Sequence, residues 1–189
     1  MRLILASQSP RRKELLAEAG YEFELILPSD GAETGRCSGE SAVDMVARLG
    51  RQKAADVAHR VGDGIVVGCD TVAECSGQIL GKPRDQGHAE QMLRLLRGKE
   101  HYVHSGLCLW RRPDDLVQVE ADTTRLFMEN ISDQQLAEYL DGDQWIGKAG
   151  AFGYQDRTGW LKVVDGSESN VVGLPMELLE KMLSGMKAQ

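Results

Sequence analysis

An α/β or α+β fold built on a mixed sheet is what the sequence predicts, and three observations predict it. Short apolar or β-branched runs alternate with segments whose apolar residues recur at helical spacing. Helix-start signals, Ser9-Pro10, Ser41, Asp85 and Ser132, stand in front of those helical segments. Two long extended stretches, 101–110 and 116–128, follow one another across an Arg-Pro-Asp-Asp turn. Layered folds of this sort bind ligands at the carboxyl ends of their strands.

Taken in order, the apolar run 3–6 reads as a buried strand and 10–19 as a helix, capped by Ser9, opened by Pro10 and stopped by Gly20. In 21–27, Phe23, Leu25 and Leu27 alternate with Glu22 and Glu24, the period of a strand. A polar loop rich in Gly, Ser and Asp covers 28–40. Ser41 caps a long helix to about residue 59, with Val43, Val46, Ala47, Ala54, Val57 and Ala58 along one stripe.

The β-branched run 64–69 ends at Asp70, and 71–80 reads as a hairpin turning at Ser76-Gly77. Asp85 caps a helix through Leu96 that carries Ala89, Met92, Leu93 and Leu96 on one side. Ser132 and Gln135 make a capping box for a short helix to Leu140. A glycine-rich segment, 142–155, precedes a strand at 159–164 and a terminal helix at 175–186. Repeats, low-complexity tracts and linkers are absent from the sequence, so one domain is expected over 1–189.

Composition limits the function classes. The chain has 189 residues, 42% hydrophobic and 27% charged, and a net charge of -7. That acidic balance argues against a nucleic-acid or membrane-surface partner, each of which needs a basic face. Apolar runs fall short of the ~20 residues of a membrane span. The short apolar start is no signal peptide, so a cytoplasmic location is expected. The four cysteines, at 37, 69, 75 and 108, lack C-x-x-C spacing and read as reduced thiols.

Against that acidity, the first helix gathers Arg11, Arg12 and Lys13 in its first turn, where the helix dipole is already positive. Surface cations on a helix need no explanation by themselves. Here, however, a buried strand runs through Ser7 and Ser9 into a helix start, which is an anion-binding geometry. Arginine supplies a bidentate fork for phosphate. Unfavourable charge in the empty protein becomes favourable once a polyphosphate is bound.

Asp70, closing an apolar strand, either caps the next turn or serves as a general base or Mg2+ ligand at the sheet edge. Glu33 could supply a second hard oxygen from its loop. Lys53, Lys82 and Lys148 lie on or beside segments flanking strand ends, and no P-loop motif is present. His101 and His104 fall on opposite faces of a strand and do not share a metal. Trp110, Trp145 and Trp160 are scattered, as core or rim residues are. Spacing gives no Cys/His or Ser/His/Asp nucleophile.

Six segments, "LILASQSPRRKELL", "GCDTV", "ILGKP", "LLRGKEHYVHSGL", "GKAGAFGYQ" and "NVVGLP", occur in the order found in the Maf family of nucleotide pyrophosphatases, the septum-formation inhibitor proteins. The resemblance extends from Leu3 to Pro175 and the helix that follows. It implies a mixed twisted sheet with flanking helices and two lobes around a cleft, similar to the inosine triphosphate pyrophosphatases. It also implies hydrolysis of a nucleoside triphosphate to the monophosphate and pyrophosphate with a divalent cation, Mg2+ or alternatively Mn2+ or Co2+.

Residue by residue, Asp70 matches the family's base, and Ser7, Arg11, Arg12, Lys53 and Lys82 match its phosphate-holding positions. Glu33 matches an acidic residue linked to metal and, with Asp70, forms the implied metal set. Arg12, Thr71 and Gln155 match the specificity positions of the branch resembling dTTP/UTP pyrophosphatases. A Gln amide offers one donor and one acceptor, complementary to the N3–H and carbonyls of uracil and thymine.

Several positions depart from the family pattern: Cys69 stands before the Asp, Gly147 replaces an acidic residue, Tyr154 precedes Gln155, and Asp156-Arg157 follows it. The last two flank the base-reading position. Two other readings stay open, a non-catalytic nucleotide-binding regulator of cell division and a pyrophosphatase for modified purine nucleotides. A homodimer is open as well.

Overall fold

Among the described residues, thirteen regular elements follow the alternation expected from the sequence. The computed structural model describes residues 2–35, 37–156 and 158–187. Along the chain these are β1 (Leu3–Ala6), α1 (Pro10–Glu18), β2 (Glu24–Leu25), α2 (Ala42–Ala58), β3 (Gly64–Cys75), β4 (Gln78–Leu80) and α3 (Gln86–Leu96). Then come β5 (Glu100–Arg112), β6 (Leu116–Met128), α4 (Asp133–Leu140), β7 (Leu161–Asp165), α5 (Glu168–Val172) and α6 (Met176–Lys187). Single 3-10 turns sit at Ala149–Ala151 and Tyr154–Asp156.

The sheet has seven strands in the order β2-β1-β3-β5-β6-β7, with β4 paired to β3. β1 is parallel to β2 and β3, whereas β4 is antiparallel to β3 and β7 is antiparallel to β6. The fold is therefore α/β with a mixed sheet, as the residue pattern predicts. Two compact units share these strands. One comprises Met1–Asp70, Ser105–Asp122 and Gly173–Gln189, and the other Thr71–His104 and Thr123–Val172.

In the first unit, alternation along each strand sends side chains to two cores. Leu3, Leu5, Ile65, Val67, Leu107 and Leu109 face one way and meet Leu179, Met182, Leu183 and Met186 of α6. Ile4, Ala6, Val66, Cys108 and Trp110 face the other way and meet Ala54, Val57 and Ala58 of α2. Burial of both faces is why these strands read as unbroken apolar runs. In the second unit, Ala89, Met92, Leu93 and Leu96 of α3 pack with Leu136, Tyr139 and Leu140 of α4 and with Leu126 and Met128 of β6.

The caps mostly match their sequence signals. Ser41 accepts from the Asp44 N–H, Asp85 accepts from the His88 N–H, and Ser132 with Gln135 forms the full capping box. Ser9 is the exception. It occupies the cap position of α1, but its hydroxyl accepts no cap bond; its own N–H donates to Ser7 Oγ at 3.1 Å.

Several boundaries differ from the expectation. The strand expected over 21–27 is only Glu24–Leu25, because its partner β1 is itself just four residues long and offers two positions in register. The strand that was expected to end at Asp70 continues to Cys75, so the hairpin arm 71–75 belongs to β3; Ser76 and Gly77, both at positive φ, make its turn. The strand expected from residue 159 begins at Leu161, after Gly159 at φ 76°. Helix α5 carries no signal singled out in the sequence. Among the described residues no helix is long and apolar enough to cross a membrane.

Candidate active site

Three glycines bring α2 onto the sheet. A Cβ on Gly68 of β3 would overlap the Gly50 carbonyl of α2 and lie 2.6 Å from the Ala54 nitrogen. A Cβ on Gly106 of β5 would overlap the Val46 carbonyl. Backbone therefore packs on backbone, and Lys53, one turn beyond Gly50, reaches the strand below it. Its Nζ donates to Asp70 Oδ1 at 2.6 Å and to the Cys69 carbonyl at 3.4 Å, and lies 3.3 Å from Glu33 Oε2.

Lys53 and Asp70 are mostly enclosed, at 11% and 15% side-chain exposure, while Glu33 is open at 43%. The sequence places these three residues in a helix, a strand and a loop; the tertiary fold converges them on a single ammonium. A nearly buried ammonium between two carboxylates carries a local charge of -1, suited to a cation or to a water that must lose a proton.

The loop bearing Glu33 is held by the outer face of α2. Thr34 N–H donates to Gln52 Oε1 at 3.1 Å, and Gln52 Nε2 donates back to Thr34 Oγ1 at 3.0 Å. Arg48 binds Glu40 through both its Nε (2.6 Å) and Nη2 (2.7 Å), and donates to Thr34 Oγ1 at 2.9 Å. Ser29 donates from N–H and hydroxyl to Asp56 Oδ2, which also takes Arg60. The Ser29 N–H holds the Asp56 carboxyl below its ordinary range. Residues 48, 52 and 56 recur every four positions along α2, with Arg60 just beyond its end, so this polar stripe was readable as a helix face, but not as the mount for a site residue.

The basic first turn divides. Lys13 is exposed, Arg11 is half-buried, and Arg12 is buried. Arg12 donates from Nε to the Gly173 carbonyl at 2.7 Å and from Nη1 to Ser7 Oγ at 3.2 Å. Ser7 is itself buried and accepts the Ser9 N–H. Ser7 and Arg12 are thus brought together, and the guanidinium is aimed by a carbonyl far along the chain.

Thr71, Lys82 and Gln155 lie in the second unit. Thr71 follows Asp70 along β3 and is half-buried, while Lys82 and Gln155 are exposed. Lys82 follows Gly81, whose carbonyl accepts the Gly150 N–H at 3.0 Å, tying its loop to the glycine-rich segment that carries Gln155. Asp156 meets Lys148 and accepts the Tyr139 hydroxyl at 2.8 Å. Arg157, flanking this position, lies outside the described residues.

Other chemistry-bearing groups take bland roles. His101 is buried against Phe152, and burial pushes it down to about 4. Burial also lowers His104, against the opposing effect of Glu74. Cys69, Cys75 and Cys108 are buried, Cys37 is exposed, and burial pushes the Cys108 thiol up to about 12. Trp110 is buried, and Trp145 and Trp160 pack against the second unit's core. Among the described residues no three His, Cys, Asp or Glu converge on a metal position. Glu33 and Asp70 nevertheless fit a hard cation such as Mg2+, which needs only one or two carboxylates when a phosphate completes its shell.

Comparison with known proteins decides the family. A model of Maf-like proteins matches residues 2–186. The chain belongs to the Maf-like family. A dTTP/UTP pyrophosphatase of Rhodopirellula baltica is 58% identical to this Maf-like chain over 186 residues, 98% of this chain and 82% of the relative. Another of that description, from Geotalea uraniireducens, is 41% identical over 92% of this chain and 89% of its own. A HAM1 protein from Coxiella burnetii shares the fold, with a TM-score of 0.54 at 12% identity over 98% of this chain and 99% of that one. The Maf-like mixed sheet is thus found at an identity where sequence alone would not reveal it.

Proposed function

We propose that the protein is a nucleoside triphosphate pyrophosphatase acting on dTTP and UTP, and that it releases pyrophosphate by attack of water at the α-phosphorus. The observation that carries this reading is the Glu33–Lys53–Asp70 cluster, where the apolar run of β3 gives way to Asp70, in a chain of the Maf-like family. Two Maf-like relatives described as dTTP/UTP pyrophosphatases support the substrate class.

Asp70 meets Lys53 through Oδ1, which orients the carboxylate; in this reading Oδ2 takes the attacking water. Asp70 orients that water and takes its proton as the oxygen bonds to phosphorus. The bond from the α-phosphorus to the bridging oxygen breaks, and pyrophosphate leaves. Ser7, Arg11, Arg12, Lys53 and Lys82 hold the phosphates and neutralise the charge growing on the leaving group, an effect often worth several kcal/mol. Glu33 and Asp70 would hold a divalent cation, Mg2+ or alternatively Mn2+ or Co2+, which supplies Lewis-acid polarisation of the phosphate when bound. Arg12, Thr71 and Gln155 select the base, with the Gln155 amide pairing the N3–H and a carbonyl of uracil or thymine. The location in this reading is cytoplasmic.

The test is a panel of normal and modified triphosphates scored for pyrophosphate release with Mg2+, Mn2+ or Co2+, and with a chelator. Preference for dTTP and UTP, lost on chelation, is the expected result. Selective cleavage of a purine nucleotide overturns the substrate assignment, and nucleotide retention without turnover overturns the enzymatic one.

A further inference from the structure

We propose that Lys148, Asp156 and Tyr139 form a clamp that positions Gln155 and thereby sets the base selectivity of the site; this rests on the reading of Gln155 as the base-contacting residue. The clamp lies wholly within the second unit. Lys148 and Asp156 are an ion pair with only 11% and 12% side-chain exposure. The second carboxylate oxygen of Asp156 takes the Tyr139 hydroxyl at 2.8 Å, and Tyr139 is buried in the core of α3, α4 and β6.

Charge pairs at such depth add little net stability, since desolvation offsets the attraction and an apolar pair would serve as well. What a pair of this kind does supply is a fixed geometry between the chain segments it joins. Here it closes residues 148–156 into a loop. The loop holds Gly150 and Ala151 at positive φ, and Gly153, where a Cβ would stand 2.5 Å from Lys148 Nζ and 2.7 Å from Asp156 Oδ2. A side chain at 153 would press on both charged tips of the pair and displace them.

Both neighbours of Gln155 are anchored while Gln155 itself is exposed. Asp156 is held by the clamp, and the Tyr154 hydroxyl donates to Glu168 Oε1 at 2.7 Å. At its other end the loop is tied to the Lys82 loop by the Gly150 N–H and Gly81 carbonyl. With the backbone anchored on both sides, Gln155 is presented from a fixed position, so a ligand that matches its amide does not have to order the segment. Lys148, Asp156 and Tyr139 act through Gln155 and are positioning residues.

The experiment measures kcat and KM for UTP and CTP with Mg2+ in the wild-type protein and in Gln155→Ala, Tyr139→Phe, Lys148→Met and Lys148→Arg. Cytosine presents an acceptor at N3 where uracil presents a donor, so the ratio of kcat/KM for the two nucleotides reports the amide's placement. Gln155→Ala is expected to lower the UTP/CTP ratio at least ~10-fold. Tyr139→Phe and Lys148→Met are expected to lower it ~3- to 10-fold through the KM for UTP, with kcat held within about 2-fold, and Lys148→Arg to restore part of it. A role confined to folding would lower activity on both nucleotides equally and leave the ratio unchanged, which overturns the clamp. Tyr139→Phe keeps the ring in its core and answers the question even if Lys148→Met does not fold. An unchanged ratio in Gln155→Ala overturns instead the base-reading role on which the clamp depends.

Discussion

Lys53 of α2 donates a 2.6 Å hydrogen bond from Nζ to Oδ1 of Asp70 on β3, and the two are the most enclosed charges of the Glu33–Lys53–Asp70 cluster. The bond does two things. It gives a mostly enclosed ammonium a carboxylate partner, and it engages one of the two carboxylate oxygens of Asp70 while orienting the other. Asp70→Asn keeps the shape and an acceptor for Lys53 but removes the proton acceptor. Pyrophosphate release by this variant is expected to fall about 10²–10⁴-fold, the usual contribution of a general base. Near wild-type turnover would remove Asp70 from that role.

Gly68→Ala tests how the pair is assembled. The added methyl meets the Gly50 carbonyl and the Ala54 nitrogen, both backbone atoms that cannot swing aside. Overpacking of this kind costs ~1–3 kcal/mol or more. Thermal unfolding should show a clear loss of stability, and turnover of the folded fraction should drop as Lys53 is lifted from Asp70. Gly77→Ala, where nothing lies within 4 Å of the added carbon, serves as a comparison for a turn glycine at positive φ.

Gln52→Leu tests the mount of Glu33. It removes the exchanged bonds with Thr34, one residue from Glu33, without touching Lys53 or Asp70. Each such exposed hydrogen bond contributes about 0.5–1.5 kcal/mol, so the melting temperature should fall by only several degrees and the protein should stay folded at assay temperature. The Mg2+ concentration giving half-maximal turnover is expected to rise several-fold. An unchanged metal dependence would separate Glu33 from cation binding.

His101 predicts part of the acid sensitivity. Burial lowers its folded value to about 4, below the ordinary 6.5. Above pH 6.5 the ring is neutral in both states and costs nothing. As pH falls from 6.5 towards 4 the unfolded chain takes up a proton that the folded one refuses, so stability declines by at most about 3 kcal/mol. Denaturant unfolding of His101→Leu across this range should be less steep in pH than that of the wild type. Equal slopes would place the acid sensitivity elsewhere.

Much of the frame was legible because it rests on local patterns. Burial of both faces made β1 and the first half of β3 read as unbroken apolar runs, and Ser41, Asp85 and Ser132 announced their helices by cap bonds made within three residues. The true length of β2 and the passage of β3 through Asp70 were hidden, since both depend on how much partner strand is available. Of the site, Ser7, Arg11, Arg12 and Asp70 stood out as charge or polarity at strand ends. Glu33 and Lys53 did not stand out, because a loop carboxylate and a helical lysine are ordinarily solvated. The glycines at 50, 68 and 106 carried the missing information, but as close approaches between elements distant in sequence.

Sequence by itself determined the order of strands and helices, the misplaced cations of the first turn, and the six ordered segments that resemble the Maf family. These are short-range or linear properties, written in neighbouring residues. Tertiary structure decided that Lys53 lies between Glu33 and Asp70, that Arg12 is aimed by the Gly173 carbonyl, and that Lys148 pairs with Asp156 beside Gln155. Each of those depends on distance through space. Electrostatics and hydrogen bonding act over a few ångströms and take no account of how many residues of chain lie between the partners.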